Sequence, residues 1–194
     1  MPLISLLEII YLIITTFVVG YIFTSYIPQA KRIPSEDELL AKYQKKFFDW
    51  DELKFTMLVA APGIILHELG HKFLALFFGL TAVFKVFWFG LGLGVMLKLI
   101  SSPFLILAPG YVQISGNPSV LESLLVAFAG PFVNFLLWLR SWYILSTKKN
   151  MKSRTVLALT LTKQINMILF FFNMLPIPPF DGFQVFFNLY KLIF

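Results

Sequence analysis

"ILHELGHKFLALFFGL", residues 65–80, has the apolar content of a membrane span. Five of its residues do not suit that setting: His67, Glu68, His71 and Lys72 are polar or charged, and Gly70 falls in mid-helix. On insertion scales each ionisable group at a bilayer centre costs about 2.5–3.5 kcal/mol, so such groups are functional by default. The spacing suggests what they do. His67 and His71 are four apart and share one helical face, one turn from each other. Two neutral imidazoles placed in this way can hold one Zn²⁺ at about 2.0–2.1 Å each. Glu68 is rotated about 100° from His67 on a helix of 3.6 residues per turn, beside such a metal but not necessarily on it.

The rest of the chain supports a membrane setting. Of 194 residues, 58% are hydrophobic and 13% charged, and the mean hydropathy is +0.81. Soluble domains are about a quarter charged. A spanning helix needs about 20 mainly apolar residues, and four segments provide them: Leu3 to Ile27, Phe55 to Gly79, Val120 to Leu145 and Thr155 to Leu175. The apolar N-terminus lacks a basic leader and a small-residue cleavage site, so it is read as a retained span. The net charge of +6 fits loops near anionic headgroups. No basic run with interleaved aromatics points to nucleic acid, and with no Cys there is no disulfide or thiolate site.

Residues 28–54 form the most polar connection. Within it "PSEDELLAKYQKKFF" reads as an amphipathic helix lying at the headgroups, with Ser35 and Glu38 as a capping box. Residues 80–118 are apolar but irregular. "TAVFKVFWFGLGLGVMLKLI" reads as two strands around the turn Gly90, Gly92, Gly94. Irregular backbone at membrane depth survives only when buried in protein or lining a wet cavity, so this segment is expected to be β-rich, partly re-entrant and packed beside the helices. The fold class is therefore an all-α polytopic membrane protein of about four spans, with a small β-rich element between the second and third, in one domain covering 1–194.

Chemistry follows from the unusual residues. H-E-x-x-H is the helical arrangement of zinc peptidases, in which the glutamate takes a proton from water acidified by the metal. Catalytic zinc wants three protein ligands. The chain has no third His, so a carboxylate or amide must serve. Asp181, in "FNMLPIPPFDG" (172–182), is a candidate because three prolines stop the fourth span there. Taken alone, Asp181 reads more readily as a cap of the final short helix. Asn134 in "AGPFVNF" and Asn173 in the proline segment need partners in an apolar setting; these are either neighbouring helices or a substrate backbone and developing oxyanion. Asn166 and Gln164 fit helix–helix hydrogen bonds. Gly70 fits close helix packing. Lys72 either snorkels or pairs with an acid, and carries no assigned role.

His67-Glu68-Leu69-Gly70-His71, then Gly130-Pro131-x-x-Asn134, then Asn173-x-x-Pro176-x-Pro178-x-x-Asp181-Gly182 resemble the site-2 protease family of intramembrane zinc metalloproteases over about residues 55–190. The resemblance implies that His67, His71 and Asp181 bind zinc, that Glu68 is the general base, and that Asn134 and Asn173 steady the substrate or the tetrahedral intermediate. It implies a transmembrane protein substrate, a multi-pass location in the cell membrane, and a β-structure to which an unwound substrate adds as a strand. Nothing in the chain has the length of the PDZ or cystathionine-β-synthase-like domains many members carry, and the residues after Gly182 are too few to cross a bilayer. Two other classes fit the composition less well. A scaffold that binds transmembrane segments without cutting them would leave the metal set unused, and a transporter would be expected to show an inverted repeat.

The resemblance also places zinc nearer the cytosol, residues 80–118 on the cytosolic side and 28–54 outside. The basic residues pull the other way: Lys31, Arg32, Lys42, Lys45, Lys46 and Lys54 lie in the first connection and Lys148, Lys149, Lys152 and Arg154 in the third, against only Lys85 and Lys98 in 80–118. With the orientation the resemblance implies, protease added to sealed right-side-out vesicles cuts the 28–54 connection. Its protection there would reverse the assignment.

Overall fold

The computed structural model describes residues 3–26, 49–103 and 108–194. The elements run α1 (Leu6–Phe23), α2 (Trp50–Phe77), β1 (Thr81–Val86), α3 (Trp88–Leu99), β2 (Gly110–Ser115), α4 (Val120–Thr147), α5 (Ser153–Asn173) and α6 (Asp181–Ile193). Helices α1, α2, α4 and α5 are long and apolar enough to cross a membrane, matching the four expected spans. The amphipathic helix read between 34 and 47 lies outside the described residues.

Local chemistry starts three of the four spans. Ser5 and Glu8 form a capping box on α1, and Ser119 with Glu122 does the same on α4. The Asp49 side chain accepts from the backbone N–H groups of Asp51 and Glu52 at the head of α2. At the far end of α2, Gly79 adopts the left-handed conformation (φ +76°) and the Leu80 N–H returns to Ala75 O at 3.0 Å. That turn ends the helix and starts β1.

Between the second and third spans the structure departs from the sequence reading. β1 is a strand as expected, but the glycine-rich run is not a turn between two strands. It lies in helix α3, and β1 pairs with the more distant β2, antiparallel, with Phe84 opposite Val112. Gly90, Leu91 and Gly94 are the buried residues of α3, a helical face, and Gly90 fits because a Cβ there would run into Ala108. In an apolar setting a helix satisfies its own backbone, which outweighs the poor helix propensity of three glycines.

Helix α4 packs against α2, α5 and α6, and α1 packs against α2, α3 and β1. The main core joins Val19, Ala60, Ala61, Ile64, Phe84 and Leu91. Small residues set the crossings. A Cβ on Gly63 would lie 2.9 Å from Asn166 Oδ1 of α5, and one on Gly70 would lie 3.0 Å from both Ala129 O and Val133 Cγ2 of α4. Gly70 is thus a packing residue, as its sequence context suggests. Large apolar side chains such as Leu6, Leu58, Phe77 and Trp142 point outward, as a lipid-facing surface requires.

Gly70→Leu forces α2 and α4 apart. Overpacking typically costs about 1–3 kcal/mol, so the expected result is a lower unfolding temperature in detergent together with weakened zinc retention. Gly70→Ala is expected to change both much less.

Candidate metal centre

Helix α2 carries both imidazoles on the face it turns toward α4 and α6. Their Nε2 atoms lie 3.2 Å apart. Asp181, the first residue of α6, brings Oδ2 to 3.1 Å from His67 Nε2 and 3.3 Å from His71 Nε2. Asp181 does not cap its helix: Phe180 occupies the N-cap position and makes no side-chain cap bond. The D-G dipeptide fits because a Cβ on Gly182 would lie 2.6 Å from Leu175 O, so the turn after α5 folds tightly back over α6.

The hydrogen bonds behind the imidazoles fix their tautomers. His71 Nδ1 lies 2.7 Å from Val126 O, a carbonyl that can only accept, so this nitrogen carries the proton. His67 Nδ1 lies 2.7 Å from Asn134 Oδ1. The Asn134 amide is oriented because its Nδ2 donates to Gly63 O at 2.8 Å and to Asn166 Oδ1 at 2.9 Å. Asn166 in turn donates to Thr162 O. Both Nε2 lone pairs therefore converge with a carboxylate oxygen. A proton could bridge one pair of these three acceptors, but not all three. Ligands about 2.0–2.1 Å from a tetrahedral zinc stand about 3.3 Å from one another, and the edges found are 3.1, 3.2 and 3.3 Å. The donor set and its size fit zinc, and these three residues form the cluster able to hold a metal among the described residues.

Glu68 is half-buried. Its electrostatic neighbours are His67, His71, Asp181 and the backbone N–H of Val112 on β2. It neighbours both the metal cluster and β2 without joining the cluster. Asn134 is 0% exposed with its N–H groups and oxygen all engaged. The geometry places it behind His67, with both amide hydrogens and one oxygen lone pair engaged. Asn173 ends α5, is half-buried, and donates to Leu169 O of its own helix.

Three contributors were not legible as such. Gly130 gives α4 its close approach, since a Cβ there would overlap His71 and lie 2.8 Å from His67 Cε1. Its place in Gly-Pro-x-x-Asn was the available signal. Asn166 supports Asn134, and only its being a carboxamide in a span marked it. The Val126 carbonyl is backbone and leaves no trace in residue identity.

A helix-borne imidazole pair closed by a distant aspartate, inside a bundle of membrane-length helices, has the form of a membrane-embedded metallohydrolase. The model of Peptidase family M50 matches residues 55–151 and 142–194, well over half of the chain. A protein of Methanocaldococcus jannaschii named "Putative zinc metalloprotease" is 36% identical over 131 residues, covering 67% of this chain and 68% of its own. No solved structure matches. The chain belongs to peptidase family M50, the site-2 protease family, and is a multi-pass zinc metalloprotease.

Loss of the group behind a ligand histidine typically costs 10–100-fold in metal affinity. Asn134→Ala is therefore expected to weaken zinc binding by about that factor in a chelator competition titration, while Asn173→Ala leaves it unchanged.

Proposed function

We propose that this metalloprotease works in the cell membrane on the transmembrane segments of other proteins, with His67, His71 and Asp181 as zinc ligands and Glu68 as general base. The observation that carries the reading is the convergence of His67, His71 and Asp181 on one point, with Glu68 neighbouring both that cluster and Val112 of β2.

The sheet supports a way of holding the substrate. In an antiparallel ladder, the polar groups of successive residues point alternately to opposite edges. The Phe84 N–H donates away from β2 to Glu8, so its opposite residue, Val112, turns its own N–H and C=O to the far edge of the sheet. Gly110 and Ile114 share that orientation with Val112. No strand pairs with β2 on that side among the described residues. A locally unwound segment can add there through main-chain hydrogen bonds, with little dependence on its sequence, and its backbone then runs past Glu68.

When bound, zinc supplies Lewis acidity that acidifies a water and polarises a carbonyl. Glu68 accepts the proton of the attacking water on a carboxylate oxygen and later delivers it to the nitrogen of the departing amine. The Asn134 Oδ1 and the Val126 carbonyl hold the ligand imidazoles in the tautomer that leaves Nε2 free. Asn173, at the mouth of the proline turn, is the carboxamide available to steady the substrate backbone.

Glu68→Gln keeps the shape and removes the base. General-base catalysis typically contributes 10²–10⁴-fold. The variant is expected to retain stoichiometric zinc and to lose cleavage of a transmembrane model peptide by at least about a hundredfold. Cleavage at the normal rate would sink the mechanism.

A further inference from the structure

Lys72, next in sequence to the ligand His71, is 2% exposed, and Glu8 of α1 is 3% exposed. Lys72 Nζ lies 2.5 Å from Glu8 Oε1 and donates to Ala82 O at 2.7 Å. The same Glu8 oxygen accepts the Phe84 N–H at 2.7 Å. Its other oxygen is held by the N–H and hydroxyl of Ser5, at 2.9 and 3.0 Å. The proposed chemistry uses none of these groups, yet two full charges are buried here.

Ala82 and Phe84 direct these polar groups to the edge of β1 that faces away from β2. An unpaired strand edge is a template for another chain, and in an apolar setting its open groups are costly. Lys72 and Glu8 occupy those positions as a third strand would, one donating to a carbonyl and the other accepting from an N–H two residues on. The arrangement has two consequences. It covers the Ala82 carbonyl and the Phe84 N–H on one edge of the sheet, while no strand pairs with the opposite edge, that of β2, among the described residues. It also bolts β1 to α2 at the turn of helix that carries His71, so the position of the sheet along its own strand direction is set relative to the metal ligands.

We propose that the Glu8–Lys72 pair is a positioning device that fixes the β1–β2 sheet against the metal-bearing helix and thereby sets which peptide bond of a bound segment meets the zinc. The second half of this rests on the strand-addition reading above; the first half does not. A pair kept only for stability would be a poor choice, because replacing buried ion pairs with apolar residues is often neutral or stabilising. A side-chain pair that satisfies two backbone groups at defined positions along β1 does what apolar packing cannot: it distinguishes one register from a neighbouring one.

The chain has no Cys, so spin labels can be placed at Leu58→Cys on α2 and Gln113→Cys on β2, both exposed positions. Their distance distribution is measured by pulsed electron resonance in the zinc-loaded full chain and in Glu8→Leu/Lys72→Met. Product masses from a synthetic transmembrane peptide with an apolar segment of about 20 residues are measured in parallel on unlabelled proteins. The expected result is a double variant that keeps stoichiometric zinc, with a distribution at least twice as wide and cleavage spread over neighbouring bonds. Should that variant not fold, Glu8→Gln/Lys72→Met, which keeps an acceptor for the Phe84 N–H, gives the same comparison. An unchanged distribution overturns the positioning role whatever the peptide shows. A widened distribution with one unchanged cleavage position overturns the claim that the pair selects the bond. If the unaltered protein leaves the peptide whole while the variant's distribution widens, the strand-addition reading fails and the positioning role stands.

Discussion

Three electron-pair donors, two imidazole nitrogens and a carboxylate oxygen, crowd within 3.1–3.3 Å of one another at the meeting of α2 and α6. Such a triangle needs positive charge at its centre and a rigid frame at its back. Helix α4 supplies much of that frame. Gly130 lets it come close, Val126 and Asn134 orient the two rings, and Gly70 on the facing helix admits the contact. The membrane makes each requirement stricter, because a misplaced polar group there has no water to turn to.

That constraint explains why the polar residues of this chain are few and densely connected. Asn134 is joined to α2 through His67 and Gly63, and to α5 through Asn166. Lys72 and Glu8 join α2, α1 and β1. Much of the remaining packing is apolar, built from residues such as Val19, Ala60 and Ile64, with buried Thr56 adding a hydrogen bond from α2 to the Gly20 carbonyl of α1. Polar contacts set the geometry, and apolar burial supplies bulk cohesion.

How much of this could be read from residues alone depended on the range of the interaction. The pairing of His67 with His71 is local, a matter of helical spacing, and was legible at once. So was β1, whose alternation of buried and exposed residues in TAVFKV follows the pleat. Asp181 was not legible locally, where it looked more like a cap, and only the resemblance of three separated motifs linked it to the histidines. The glycines of α3 misled because Gly at every second position mimics a turn, whereas on a helix Gly90 and Gly94, four apart, lie on the buried face and Gly92 is exposed. The partner of Lys72 lies 64 residues away and leaves no periodic trace. A carboxamide in a span announces a need for partners, but that those of Asn134 are His67, Gly63 and Asn166 is decided by tertiary contact.

The order in which the ligands appear along the chain has a biosynthetic meaning. His67 and His71 enter with the second span, but Asp181 follows the fourth and is presented by a turn that folds back on α5. During synthesis the imidazole pair therefore waits, two ligands without a third, until the proline turn has docked. The candidate metal cluster therefore depends on contact between the second span and the turn that follows the fourth, and it exists only once that part of the bundle has assembled.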